Sequence, residues 1–180
     1  MSLPVDDIER ARIDRVIDDA LDDIGLVYER VDEGSFLVTL EGDHRLRTMT
    51  WLIIGDHTLL IEAFFMRRPA ENPAGTYAFL LGRNARTYGV HFSIDQVGDV
   101  YLTGQLPLTA ITADEIDRVL GCTRTYSDEN FDPAVTLGFA GAIEREKAWR
   151  ARVTAAETET ETETAEASPR MQRRGASAGP

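Results

Sequence analysis

Catalysis or metal binding in this chain would have to be built from three histidines, one cysteine and the aspartates near its start. His44 and His57 fall in turn-forming stretches at the two ends of one predicted strand. Thirteen residues of extended chain span ~40 Å, so these two histidines cannot share a site. Asp18 with Asp22, and Asp19 with Asp23, are four apart on a predicted helix and could in principle share a cation. Calcium, however, takes six or more oxygens from a wrapped loop, so a solvated acidic face is the expectation. Cys122, the single cysteine, excludes an intrachain disulfide and a zinc site of several thiolates, and reads as a small apolar residue. Gly82-Arg83-Asn84 follows a predicted helix rather than a strand and lacks the lysine and hydroxyl residue of a phosphate loop. No serine sits in a nucleophile elbow. One alternative stays open. His91, Tyr101 and Gln105 share the polar face of a predicted hairpin and could hold a small molecule or an enzymatic site. The competing expectation is that His91 is an ordinary surface histidine. No metal and no cofactor is expected.

Composition sets further bounds. The 180 residues carry a formal net charge of −12, and five glutamates and three arginines after Ala156 contribute only −2 of it. The remaining −10 belongs to the part expected to fold, which opposes binding to nucleic-acid phosphates or to anionic membranes. Met1-Ser2-Leu3-Pro4, followed by Asp6 and Asp7, has neither a basic region nor an apolar stretch. No later segment approaches the ~18 apolar residues of a membrane span. A cytoplasmic protein is the expectation.

The elements follow from periodicity. Val5, Ile8, Ile13, Val16, Ile17, Ala20, Leu21 and Ile24 recur at helical spacing, ending at Gly25 in a left-handed cap. Turn clusters at Asp32-Glu33-Gly34, Gly42-Asp43 and Gly55-Asp56 then divide an alternating region into four strands: Leu26 to Arg30, Ser35 to Glu41, Arg45 to Ile54 and His57 to Met66. Asn72-Pro73 opens a second helix, with Tyr77, Ala78, Leu80, Leu81 and Ala85 as its buried stripe. A hairpin follows, with Val90, Phe92, Ile94, Val100, Leu102 and Leu106 inward and His91, Ser93, Tyr101, Thr103 and Gln105 outward. Thr112-Ala113-Asp114-Glu115 reads as a capping box opening a third helix, which Pro133 should restart or kink.

The hairpin from Arg45 to Met66 departs from the usual alternation. With Gly55-Asp56 as a two-residue turn, Trp51 would oppose Leu60, and Arg47 and Glu62 would be diagonal neighbours able to pair. One face then carries Leu46, Thr48, Thr50, Leu52, Leu59, Ile61, Ala63 and Phe65. The other carries Arg47, Met49, Trp51, Ile53, Leu60, Glu62, Phe64 and Met66. Neither is a polar exterior, and the second has the aromatic, methionine and arginine mixture of a partner or dimer surface. Coverage of that face by the protein's own helices is the competing expectation.

The run from Tyr77 to Leu120 resembles the YbjN-like domain family. The similarity rests on a Leu-Leu pair and Asn84 in the helix, a Gly-hydrophobic-x-Phe strand and a Gly-Asp-Val-Tyr hairpin return. It continues through Leu-Pro and Ile111-Thr112 into a helix containing Leu120, with a final Leu137-Gly138-Phe139. The resemblance implies an α+β fold like that of type III secretion chaperones: an antiparallel sheet flanked by helices, in the order α-β-β-β-β-α-β-β-α. It further implies a non-enzymatic, homodimeric protein-binding or chaperone-like regulatory module with an unidentified protein client. The domain is expected over residues 1–139, a helical extension over 140–156 and a disordered Glu/Thr-rich tail over 157–180. Threonines of that tail, such as Thr158 and Thr160, are candidate phosphorylation sites.

Overall fold

In the computed structural model, which describes residues 7–166, the chain forms three α-helices and six strands. They are α1 (Asp7–Asp23), β1 (Val27–Asp32), β2 (Ser35–Glu41), β3 (Arg47–Ile54), β4 (Thr58–Met66), α2 (Pro73–Arg83), β5 (His91–Ile94), β6 (Val100–Pro107) and α3 (Ala113–Glu166). Helix α1 ends where expected. Gly25 takes φ +68°, and Leu26 N–H donates to the Leu21 carbonyl at 3.2 Å, satisfying a carbonyl the helix leaves open.

The strands form one antiparallel sheet in the order β1-β2-β3-β4-β6-β5. One face holds the core. Phe36, Val38 and Leu40 of β2, Leu52 and Ile54 of β3, Leu59, Ile61 and Ala63 of β4 and Leu102 of β6 are buried there. With them pack Ile13, Ile17 and Leu21 of α1 and Ile116, Val119 and Leu120 of α3. A helix with an apolar stripe and a sheet with an apolar face each need such a partner layer. Within this layer Thr48 and Ser127 share a 2.8 Å hydroxyl contact, whereas the buried Thr50 hydroxyl has no hydrogen-bond partner among the described residues. Replacing an unpaired buried hydroxyl by a methyl removes its desolvation cost. Thr50→Val should therefore raise stability by roughly 1 kcal/mol in denaturant unfolding, and an unchanged midpoint would refute that.

The β3–β4 register differs from expectation. Ile54 pairs with Leu59, Trp51 with Glu62 and Thr50 with Ala63, and Gly55 N–H donates to the Thr58 carbonyl at 2.9 Å. The turn therefore centres on Asp56-His57, one residue later than a glycine-first turn would place it. Gly55 is not among the positive-φ residues, so that turn type does not form. Moving the turn by one residue moves every partner by two, which preserves the two faces. It does not preserve the expected ion pair: Glu62 lies opposite Trp51, and Arg47 lies opposite Glu41 of β2. Met66 also departs from the expected surface. A register shift between Phe64 and Met66 in the β4–β6 ladder turns both Phe65 and Met66 inward, and Met66 is 3% exposed.

Helix α3 opens on half of the expected capping box. Glu115 N–H donates to the Thr112 hydroxyl at 3.2 Å, but the Glu115 carboxylate accepts from Tyr88 and pairs with Arg118 instead. Pro133 lies inside the helix without restarting it. The break falls at Phe139 (φ −144°, ψ 27°), where the Gly138 carbonyl, freed from the helix, accepts the Glu71 N–H at 2.9 Å. The compact unit ends at Ala140, and a second unit begins at Gly141, whose described part is helical to Glu166. Residues 157–166, expected to be disordered, continue that helix. Propagating an existing helix avoids the nucleation cost that keeps an isolated segment unfolded. The rest of the expected tail lies outside the described residues.

Candidate functional site

The second face of the sheet carries the candidate residues, and the strand order makes it wider than one hairpin. Because β6 lies beside β4, the outward residues of the β5–β6 hairpin continue the outward residues of β3 and β4. One row runs across all six strands: Glu29, Leu37, Trp51, Glu62, Thr103 and His91, each paired with the next. A neighbouring row contains Val27, Thr39 and Met49 on one side and Phe64, Tyr101 and Ser93 on the other. A third contains Ile53, Leu60 and Gln105. The expected partner surface and the expected polar ligand face are thus one surface. Leu37 and Thr39 also belong to it, and their alternation with the buried Phe36, Val38 and Leu40 was the available signal.

Its chemistry is apolar and aromatic with few charges. On β3 and β4 the apolar side chains that project most are Met49 (43% exposed) and Phe64 (40%), and Trp51, Ile53, Leu60 and Glu62 are half-buried among their strand neighbours. Phe64 meets Tyr101 edge to face with centroids 5.5 Å apart. Desolvation, then the carboxylates of Asp95, Asp99 and Glu62, push the Tyr101 hydroxyl pKa upward, so it remains a neutral donor. Glu62 has Trp51 and Thr103 directly across and Leu60 and Phe64 beside it on the same strand face. Neither Arg47 nor Glu62 is in an ion pair or side-chain hydrogen bond among the described residues, although Glu41 faces Arg47 in register.

His91 and Tyr101 stand in adjacent rows of this face. The His91 Nδ1 lies 2.6 Å from the Thr87 hydroxyl, and the cross-strand partner of His91 is Thr103. Asp14, Asp18 and Asp22 of α1 have protein partners: the Tyr28 hydroxyl donates to Asp18 at 2.9 Å and to Asp22 at 3.0 Å, and Arg30 pairs with Asp14 and Asp18. Burial and these two carboxylates raise the Tyr28 pKa. His44 pairs with Asp132 at 3.4 Å, far along the fold from the His57 turn.

A second apolar feature lies at the sheet edge. The α2 stripe is only partly buried: Thr76 and Leu80 face inward, while Ala78, Leu81 and Ala85 are exposed. Between α2 and β5 runs a groove of about 390 Å³ lined by Tyr77, Ala78, Leu80, Leu81, Ile94 and Val100. Leu81 is 70% and Ile94 57% exposed. The edge strand is also partly closed, because the Asn84 side chain donates to the Phe92 carbonyl at 3.0 Å and accepts its N–H at 2.8 Å, as a neighbouring strand would.

Comparison with known proteins places this geometry. Residues 14–134 match the family model YbjN, described as "Putative bacterial sensory transduction regulator". The "Uncharacterized protein Rv0487" of Mycobacterium tuberculosis (strain ATCC 25618 / H37Rv) is 42% identical over 143 residues, covering 77% of this chain and 78% of that protein. "Uncharacterized protein ML2442" of Mycobacterium leprae (strain TN) is 41% identical over 140 residues, covering 75% and 76%. Among solved structures, a chain of the ExsC–ExsE complex superposes with a TM-score of 0.53 at 20% identity, over 73% of this chain and 97% of that one. The Yersinia pestis type III secretion chaperone SycH, in complex with a fragment of YscM2, gives 0.46 at 17% identity over 69% and 98%. The fold is the α+β, type III secretion chaperone-like one that the sequence resemblance implied. No helix among the described residues is long and apolar enough to cross a membrane.

Proposed function

The chain belongs to the YbjN family, and from that premise we propose that it is a non-enzymatic, chaperone-like regulatory module of the cytoplasm that binds protein and acts as a homodimer. The observation that carries this reading is the open sheet face, on which Met49, Trp51, Phe64 and Tyr101 present aromatic and methionine side chains around few charges. Interface cores have that composition, and a face exposed on a six-stranded sheet offers the area. The ExsC–ExsE structure supports the reading by analogy, since its chain of this fold is crystallised with another protein. A net charge of −12 points away from nucleic acid.

Light scattering at micromolar concentration tests the homodimer. A dimer is expected, and Trp51→Asp is expected to dissociate it. A dimer split only by Leu81→Asp would move the contact to the α2–β5 groove, and a strict monomer would remove the homodimer. For the client, affinity capture from the source cell should recover a protein that Trp51→Asp loses. Recovery unchanged by that substitution would remove the sheet face from client binding.

A further inference from the structure

We infer that the open sheet face is self-complementary and that its occupant is the same face of a second copy, with Arg47 of each copy paired to Glu62 of the other. This rests on the homodimer reading above and names its geometry. The two charges are of opposite sign, lie on one face and are not in an ion pair among the described residues. Arg47 lies four residues from Trp51 along β3, and Glu62 lies directly across from Trp51. That separates their Cα atoms by about 14 Å, from ~3.3 Å per residue along the strand and ~4.8 Å between strands. They are too far apart to meet in one copy.

A two-fold axis lying between two such faces, perpendicular to the line joining the charges, brings each arginine over the other copy's glutamate. Any C2 contact has this reciprocal form, residue i on j and j on i. The axis passes near the row of Met49, Phe64 and Tyr101, in which Met49 and Phe64 are the most exposed apolar side chains of β3 and β4. These two thus sit at the centre of the contact and the two ion pairs flank them. The line between the charges is tilted ~20° from the strands, so the two sheets cross at ~40°, close to aligned sheet packing. Six strands at ~4.8 Å and about seven residues at ~3.4 Å give on the order of 700 Å² per copy, within the range of specific interfaces.

Charge complementarity decides the occupant. Glu62 sits among Trp51, Leu60 and Phe64, so any surface that covers it must bring a cation or leave a desolvated carboxylate unpaired. A second copy brings Arg47 at the required position, together with its own matching aromatic row.

The test uses the full chain and two charge reversals, Arg47→Glu and Glu62→Arg, with sedimentation equilibrium as the readout. Each alone places like charges in both symmetric pairs and should weaken dimerisation at least about a hundredfold. An equimolar mixture of the two variants should recover a heterodimer, because each then offers the sign the other lacks. The double variant Arg47→Glu/Glu62→Arg should recover the homodimer. The neutral pair Arg47→Gln and Glu62→Gln, with circular dichroism on every variant, covers a reversal that fails to fold. A wild-type dimer indifferent to these changes overturns the inference while leaving the homodimer standing. Folded single variants that stay monomeric when mixed overturn it likewise. A strictly monomeric wild type overturns both, and leaves the face to a different protein bearing a cation opposite Glu62.

Discussion

Gly104→Ala is expected to cost about 3 kcal/mol or more, lowering the thermal midpoint by roughly 10 °C for a unit of this size. A Cβ at Gly104 would stand 2.0 Å from the Gly89 carbonyl oxygen and 3.0 Å from both the Gly89 carbonyl carbon and Val90 Cγ1. The offending atom is backbone. It cannot rotate away as a side chain would. The Gly89-Val90 segment crosses Gly104 on the core side of β6, and Gly89 itself has φ +73° with the Val119 methyl 2.7 Å from any added Cβ. Relief would require moving β5 or the segment that leads into it. Gly121→Ala is the internal comparison: it lies within α3 with nothing within 4 Å of the added methyl, and should gain roughly 0.5–1 kcal/mol from helix propensity. Differential scanning calorimetry of the two variants reads both effects. Equal midpoints would refute the crossing argument.

The same residue shows where sequence reasoning ends. Alternation placed Leu102 and Leu106 inward and Tyr101 and Thr103 outward, and the structure agrees for the buried pair. Gly104 occupies the inward position between them, yet alternation cannot tell what crosses there, because the crossing segment belongs to another part of the ladder. Periodicity is a local property, and along β3 and β4 as far as Phe65 it held: the two faces were preserved although the register moved by two residues. The strand order was not local. That β6 rather than β5 lies against β4 depends on α2 carrying the chain past the sheet edge, and only that order joins the two candidate surfaces into one face. Helix α2 failed differently. Its stripe of Tyr77, Ala78, Leu80, Leu81 and Ala85 is broad, but the helix touches the sheet only at its edge, so Leu80 is buried and Leu81 is not. Met66 and the Arg47–Glu62 pair were lost to a bulge and a turn, features set by one or two residues that propensity does not resolve.

Arg45 gives the second large effect, and it links that bulge to the candidate face. Its guanidinium lies 4.9 Å from the Phe131 ring centroid and 5.5 Å from that of Phe65, and burial holds its pKa below that of a free arginine. One nitrogen donates to the Phe64 carbonyl at 2.8 Å and another to the Ser127 hydroxyl at 3.3 Å. Its backbone N–H, with that of His44, is bound by the Asp128 carboxylate at 2.8 Å, and these backbone donors hold the Asp128 pKa below its ordinary value. Arg45 therefore ties the β2–β3 loop, α3 and the last turn of the β4 ladder together. Phe64 is the residue at which the β4–β6 register shifts, so the hydrogen bond to its carbonyl supports the bulge that turns Met66 inward and leaves Phe64 outward. A lysine can supply a charge but neither a delocalised planar cation beside two rings nor two donors in fixed directions. Arg45→Lys should cost about 2 kcal/mol and Arg45→Ala about 3 kcal/mol in denaturant unfolding. Amide exchange should separate this from general loosening, with protection falling first at the Met66–Val100 end of the β4–β6 ladder and persisting at the Leu59–Leu106 end. Arg45→Lys within 0.5 kcal/mol of the parent chain, or exchange that rises evenly along β4, would show that the ring contacts and the carbonyl contact do not hold the bulge.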